Sequence, residues 1–525
     1  MRWIIVHHHF RPGGVRRVIE QATPHLVEGR ADAVVLVGGE APDPIWFGEF
    51  VRRLAPIPVT WEADRAFGYA AEARLDAAEI GRRARQKLRR ILDQGEPEED
   101  WVWVHNAGLG RNVVMIRELA RICRKRKVRV AWHHHDWWFE NRWSRWAEMR
   151  RLQVTTLRDA ARASFPTGAG WLHAGINRRD VARLRRGFPG QSVWLPNPVE
   201  LDSSGGPRSV EERTAARRWL AERLDGDAMS PVWLVPCRFL RRKNMAEAVL
   251  LTRWLRPEAW LVTTAGASSE EERPTWKRLT AAAREGHWRV RISILDGADS
   301  SAPSVESLLE ASEVVVLSSI LEGFGLPYLE AAAAGRPLVG RRLGNVVPDM
   351  ESLGLTFPTL YDEILVSPSW LDWSQEISRQ ECRFAAWRSG LPRGWRTQVR
   401  LPAWLREPPG CGVPFSRLTF TGQLEILQAP ADMTRQAALR LNPWLSRWSA
   451  WAATGKLPRI TWKSNTAAKL SGRAYARRFW SAAGTAARGC KTTTRADSAE
   501  RVQAGFLRER LAADHLYPLL WDRDT

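Results

Sequence analysis

Two glutamates stand eight residues apart in the run Leu321-Glu322-Gly323-Phe324-Gly325-Leu326-Pro327-Tyr328-Leu329-Glu330. The apolar stretch Val314–Leu317 just before it predicts a β-strand. Pro327 suits the first position of a helix, and Gly335 suits its C-terminal stop. A glycine-rich turn that delivers a helix N-terminus beyond a strand end leaves backbone N–H groups free to hold an anion. Glu322 and Glu330 can accept hydrogen bonds from hydroxyls, so the pair can bracket a single bound molecule.

A basic loop is the second candidate. Val235-Pro236-Cys237-Arg238-Phe239-Leu240-Arg241-Arg242-Lys243-Asn244 runs from a strand into a helix. Fixed cations stabilise a leaving group that gains negative charge in the transition state. Arg238, Arg241, Arg242 and Lys243 are the cations of this loop, of which Arg241 and Arg242 are expected to be solvated surface charges.

Two further segments follow predicted strands. In His9-Phe10-Arg11-Pro12-Gly13-Gly14-Val15, the glycine pair permits close backbone approach at a helix start. In Trp132-His133-His134-His135-Asp136-Trp137-Trp138-Phe139, a histidine-aspartate step is followed by aromatic residues suited to stacking on an apolar face of a ligand. The consecutive histidines His7, His8 and His9 are not expected to bind metal, because side chains alternate across a strand.

The elements that must position these residues alternate. Trp3–Val6, Ala33–Val37, Trp101–Val104, Val128–Trp132 and Ser192–Leu195 read as strands, with helices such as Val15–Leu26 and Asn112–Lys125 between them. The rhythm restarts after a turn-rich joint near 196–230. Strands are expected at Val232–Pro236, Trp260–Thr264, Val290–Leu295 and Glu313–Leu317, and helices at Val210–Leu224, Asn244–Arg253 and Pro274–Glu285. This predicts an α/β protein with two Rossmann-like domains facing across a cleft, 1–200 and 201–366. A mostly helical, basic extension, 367–525, follows, with helices at Leu418–Gln428 and Met433–Ala452.

The corner from Glu322 to Glu330 resembles the E-x7-E signature of retaining glycosyltransferases of the GT-B fold, family 4 type, and the similarity extends over about residues 1–345. The resemblance implies a retaining enzyme that moves a sugar from a nucleotide diphosphate donor to an acceptor hydroxyl. It implies that Glu330 holds the ribose, that Glu322 contacts hydroxyls of the transferred sugar, and that the backbone of Gly323, Phe324, Gly325 and Leu326 meets the sugar and diphosphate. Arg238 and Lys243 would meet the diphosphate, with Cys237 standing where the family usually has glycine. Gly13 and Gly14 would face the donor phosphates and the acceptor, and His135 would contact the sugar near the reacting carbon. His105-Asn106, Asn177-Arg178-Arg179-Asp180 and Pro196-Asn197-Pro198 resemble landmarks of the family's first domain. The implied co-substrate is a nucleotide sugar, with no metal or other cofactor required; a glycan or lipid-linked sugar is the expected type of acceptor.

Composition narrows the rest. The 525 residues carry a formal charge of +21, an excess supplied mainly by arginine, which favours anionic partners. The basic, Trp-containing stretch Thr461–Arg495 suits an anionic membrane surface or an acidic glycan. The five cysteines contain no C-x-x-C pair, and no apolar run approaches the ~20 residues of a membrane span. A cytoplasmic protein, with peripheral contact at the inner membrane face, is the expectation. A nucleotide-sugar epimerase on the same plan and a non-enzymatic nucleic-acid-binding protein are the alternatives; specific nucleic-acid binding is not expected.

Overall fold

The computed structural model describes residues 1–140, 143–199, 209–224, 230–267, 269–299, 301–406, 412–488 and 497–521. It divides into two compact units. Unit 1 holds Met1–Glu200, Gly390–Gln398 and Ala467–Leu511; unit 2 holds Leu201–Ser389, Val399–Thr466 and Ala512–Thr525.

Unit 1 is built on seven strands: β1 (Arg2–Val6), β2 (Ala33–Gly38), β3 (Val59–Ala63), β4 (Trp101–His105), β5 (Arg129–His134), β6 (Leu172–Gly175) and β7 (Ser192–Trp194). They are ordered β3-β2-β1-β4-β5-β6-β7 and all run parallel. Strand alternation sorts the core into two layers. Trp3, Ile5, Trp101 and Trp103 face the helices Gly14–Val27 and Gly472–Arg488. Ile4, Val6, Val102, Val104, Val130 and Trp132 face the helices Ala77–Asp93 and Val113–Lys125. β1 and β4 are neighbours although two strands intervene in sequence, so the order reverses between them. Ligands of open α/β sheets bind beyond the carboxyl ends of the strands at such a reversal.

Unit 2 repeats the plan with β8 (Val232–Phe239), β9 (Trp260–Ala267), β10 (Val290–Arg291), β11 (Val314–Leu317), β12 (Leu338–Arg341) and the short strand Leu360–Tyr361. The order is β10-β9-β8-β11-β12 followed by Leu360–Tyr361, again all parallel, with the reversal between β8 and β11. The α/β class and the two-sheet plan expected from the sequence are the ones observed.

Residues beyond 366 do not form a third body; they are shared between the two units. The helices Phe420–Gln428 and Trp444–Ala453 pack on the helix Met245–Leu255 in unit 2. The helix Gly472–Arg488 lies on the helix Gly14–Val27 in unit 1. There Tyr475, Phe479, Ala483 and Ala486 are buried, and Phe479 sits 5.4 Å from Trp3 and 5.3 Å from Trp101, ring to ring. Such aromatic pairs add about 0.5–1.5 kcal/mol each beyond the area they bury. Most aromatics of the basic stretch Thr461–Arg495 therefore turn inward, because the apolar face of this helix covers the sheet. Its segment 489–495 lies outside the described residues.

Local expectations need three corrections. β10 stops at Arg291 rather than Leu295, because Ser293 adopts a left-handed φ of 64°. The helix expected over Met433–Ala452 is two helices, Ala431–Leu441 and Trp444–Ala453, interrupted at Asn442-Pro443, where proline cannot donate the next hydrogen bond. Strands β3 and β6 were not expected. Among the described residues, no helix is long and apolar enough to cross a membrane.

Candidate functional site

In unit 2 the two loops at the β8–β11 reversal are stitched together. Ser318 Oγ donates to the carbonyls of Lys243 and Asn244, 2.9 Å each, and Ile320 N donates to the carbonyl of Arg242 at 2.8 Å. These bonds bring the basic loop after β8 against the glutamate that follows β11. Lys243 Nζ donates to Glu322 Oε1, and Arg242 donates from Nη1 to Glu322 Oε2 at 2.9 Å and to the Leu321 carbonyl at 2.9 Å. Asn345 Nδ2 holds the Glu322 carbonyl at 2.7 Å. Lys243 and Glu322 are both buried, with side-chain exposures of 7% and 9%. Burial alone would raise the Glu322 carboxyl, but Lys243 and Arg242 outweigh it and hold the group down at about 2. Glu322 is therefore an anion at neutral pH. Arg242 is a half-buried partner of that anion and Arg241 pairs with Glu272, so neither is the solvated charge expected from the sequence. The signal that was missed lies in the pairing of β8 with β11, which brings together residues about eighty positions apart.

Arg238 occupies a different position. It lies at an irregularity of β8, where the pairing with β9 shifts register on both sides, and its side chain is exposed. Its guanidinium makes no hydrogen bond or ion pair among the described residues. Cys237 beside it is half-buried, and desolvation pushes its thiol up. Lys243, Glu322, Arg242 and Glu330 all act on that thiol electrostatically, so both glutamates of the corner bear on one neighbourhood. Glu330 sits on the helix Leu326–Ala333 and is partly exposed.

The turn between the glutamates has a steric requirement. Gly325 caps the helix at φ 82°, and a Cβ there would meet Val346 Cγ1 at 2.3 Å. Only glycine meets both conditions. Pro327 stands in the first turn as expected. The buried Tyr328 donates from its hydroxyl to the Arg341 carbonyl at 2.6 Å, fixing the helix on β12. Behind it, Arg341 bridges Glu247 and Glu363, and Tyr361 donates to Glu247 at 2.6 Å. Asn244 donates to the other Glu247 oxygen at 2.9 Å. This buried network anchors the start of the helix that follows Lys243. It was not read from the sequence, because its members come from four separate segments.

In unit 1, Gly13 and Gly14 begin the first helix and are exposed. Neither has a left-handed φ, and a Cβ on Gly14 would meet nothing within 4 Å. The fold itself does not demand glycine there.

His135 lies just past β5 and is 8% exposed. Asn106 Oδ1 accepts from the backbone N–H of His135 at 3.0 Å and of Asp136 at 3.1 Å, while Asn106 N donates to the His133 carbonyl at 2.9 Å. The ring Nε2 of His135 lies 2.9 Å from His105 Nδ1. His105-Asn106, read from the sequence only as a fold landmark, thus positions His135. Burial pushes the His135 imidazole down to about 4, with Asp136 pulling the other way. The following aromatics are core, not a stacking platform. Trp137 is 1% exposed, and Trp138 and Phe139 are fully buried. Trp137 Nε1 donates to Asp180 at 2.8 Å, and its ring lies 4.8 Å from that of Phe506.

Comparison with known proteins puts a family likeness on unit 2. Residues 238–369 match the family model of glycosyl transferases group 1. Over 293 residues, covering 54% of each protein, the chain is 27% identical to mannosylglucosyl-3-phosphoglycerate synthase from Petrotoga mobilis. Over 102 residues it is 35% identical to D-inositol 3-phosphate glycosyltransferase from Saccharomonospora viridis, covering 19% of this chain and 22% of that one. The chain thus spans about half the length of the first relative and a smaller part of the second. Among solved structures, the N-terminal domain of Candida albicans trehalose-6-phosphate phosphatase aligns with a TM-score of 0.51 at 9% identity, over 92% of this chain and 97% of that one. That likeness concerns the fold.

Proposed function

We propose that the chain is a nucleotide-sugar-dependent glycosyltransferase of the GT-B type that retains the configuration of the transferred sugar. The observation that carries this reading is Arg238. It is an exposed guanidinium with no partner among the described residues at the carboxyl end of β8, the strand whose following loop carries Lys243 and Arg242 to the buried Glu322. A cation left unpaired at the reversal of a parallel α/β sheet suits an anionic ligand. The match to glycosyl transferases group 1 begins at that residue and runs through both glutamates.

In this reading unit 2 binds the donor. Arg238 and Lys243 face the diphosphate, joined by backbone N–H groups of Gly323, Phe324, Gly325 and Leu326 at the helix start. Glu330 takes the ribose hydroxyls. Glu322, kept ionised by its two cations, accepts from hydroxyls of the sugar. The candidates in unit 1 are Gly13 and Gly14, for the donor phosphates and the acceptor, and His135, for the transferred sugar near the reacting carbon. Open space over the glycines and a neutral imidazole support those roles.

The chemistry is substitution on the front face of the anomeric carbon. The bond from that carbon to the diphosphate oxygen breaks, with the electron pair staying on the phosphate. The acceptor oxygen bonds to the same face and its proton passes to the departing phosphate oxygen. Cations held at the diphosphate lower the barrier because the charge they meet grows along the path. No paired-carboxylate displacement is invoked.

The names of both sequence relatives contain a phosphorylated molecule, 3-phosphoglycerate and inositol 3-phosphate. Together with the charge of +21, this places small phosphorylated acceptors beside glycans and lipid-linked sugars in the test. The protein is incubated with uridine, guanosine and adenosine diphosphate sugars and an acceptor panel, and nucleoside diphosphate is followed. Acceptor-dependent release of one nucleoside diphosphate is expected. Interconversion of the sugar without release identifies an epimerase instead.

A further inference from the structure

Eight of the eleven histidines, at positions 7, 8, 9, 105, 133, 134, 135 and 173, belong to the central strands of unit 1 or the residues just after them. Three share one face. His105 and His133 are register partners on the adjacent strands β4 and β5. His135 is two residues beyond His133, and strand alternation returns it to the same side. The alternation that separates His7, His8 and His9 does not separate these three. Each offers a ring nitrogen, and the three nitrogens lie within 4.8 Å of one another.

The hydrogen-bond accounting leaves a deficit. His105 uses Nδ1 on His135, and its Nε2 has no partner among the described residues. His133 uses Nδ1 on the Tyr475 hydroxyl at 3.2 Å, and its Nε2 has none. His105 is 1% exposed and His133 is fully buried. A buried polar atom without a partner costs about 1–3 kcal/mol. A neutral imidazole carries one N–H and one lone pair. When His133 donates Nδ1–H to Tyr475, its Nε2 lone pair is what remains.

We propose that His105, His133 and His135 bind one divalent transition-metal ion of the zinc class. Three imidazoles with no thiolate suit zinc, nickel or copper better than magnesium or calcium. Nitrogens on a tetrahedral zinc with bonds of about 2.0–2.1 Å stand about 3.4 Å apart, so the cluster closes with shifts of roughly an ångström. Three protein ligands leave a fourth position for water or another donor. The supporting contacts are in place: the Tyr475 hydroxyl orients His133 through its second nitrogen, and Asn106 fixes the backbone of His135. The site shares His135 with the nucleotide-sugar reading but does not rest on that reading.

The test uses the untagged full chain, stripped with a chelator, loaded with Zn²⁺ or Co²⁺ and desalted. About one ion per chain is expected to remain, with imidazole scattering in the X-ray absorption spectrum of the zinc form. Folded His105→Ala and His133→Ala are expected to bind at least roughly tenfold more weakly, while His287→Ala, at an exposed position in unit 2, keeps the ion. Should both alanine variants fail to fold, the wild-type spectrum decides. The proposal is overturned by a wild-type chain that retains almost no ion, by folded variants that retain as much as wild type, or by a metal shell without imidazole.

Discussion

Lys243 and Glu322, on loops that follow β8 and β11, form a buried ion pair that joins the two loops at the reversal of the unit 2 sheet. Removing one member of a buried pair leaves the other charge uncompensated, at about 3–5 kcal/mol. Lys243→Met is therefore expected to destabilise unit 2 by about 3 kcal/mol, since Arg242 still partners the glutamate. Pairing it with Glu322→Gln should recover much of that loss. A denaturant-based double-mutant cycle with coupling near zero would show that the pair contributes nothing.

Arg238 gives the opposite pattern. It has no partner to lose among the described residues, so Arg238→Ala should change stability by less than about 0.5 kcal/mol. Losing a charge-assisted hydrogen bond of about 1.5–3 kcal/mol should weaken nucleoside diphosphate binding roughly 10- to 100-fold. Thermal unfolding and calorimetric titration check the two halves separately; a variant with lower stability and unchanged binding contradicts the assignment.

Gly325→Ala combines a left-handed φ with a Cβ placed against Val346. The conformational cost is about 1–2 kcal/mol and overpacking adds about 1–3 kcal/mol. A loss of about 3 kcal/mol in denaturant unfolding is expected. Gly14→Ala, where a Cβ meets open space, should leave stability nearly unchanged while reducing turnover.

Acid should destabilise unit 1 early. Burial lowers His8 to about 4 and His173 to about 3, below the ordinary 6.5. The unfolded chain therefore binds more protons below pH 6.5, so stability is complete above that value and falls as the pH drops toward 4 and 3. Between pH 7 and 5 each of these two should cost about 2 kcal/mol. Chemical denaturation at both pH values measures this. His8→Gln should flatten the slope, and an unchanged slope would remove His8 from the account.

How much was legible in the sequence follows from the range of the interactions. The corner from Glu322 to Glu330 was readable because its glycines, proline and strand are contiguous and each has a local steric reason. The two-sheet plan was readable from long apolar strands such as β1, β2, β4 and β8. β3 was missed because it is an edge strand with exposed Thr60 and Trp61, and β6 because Leu-His-Ala-Gly carries almost no periodicity. The role of Arg242 and the burial of Trp137 and Trp138 depend on partners distant in the chain. The helix Gly472–Arg488 was opaque for the same reason: its apolar face has meaning only against the helix Gly14–Val27.

The central claim is that the β8–β11 corner of unit 2 holds a nucleoside diphosphate. Calorimetric titration of the wild type, Arg238→Ala and Glu330→Ala with UDP, GDP and ADP tests it most directly. One of the three is expected to bind wild type with a stoichiometry near one and to bind both variants at least roughly tenfold more weakly. Absence of binding by all three, or a nucleotide that binds both variants as tightly as wild type, would contradict it.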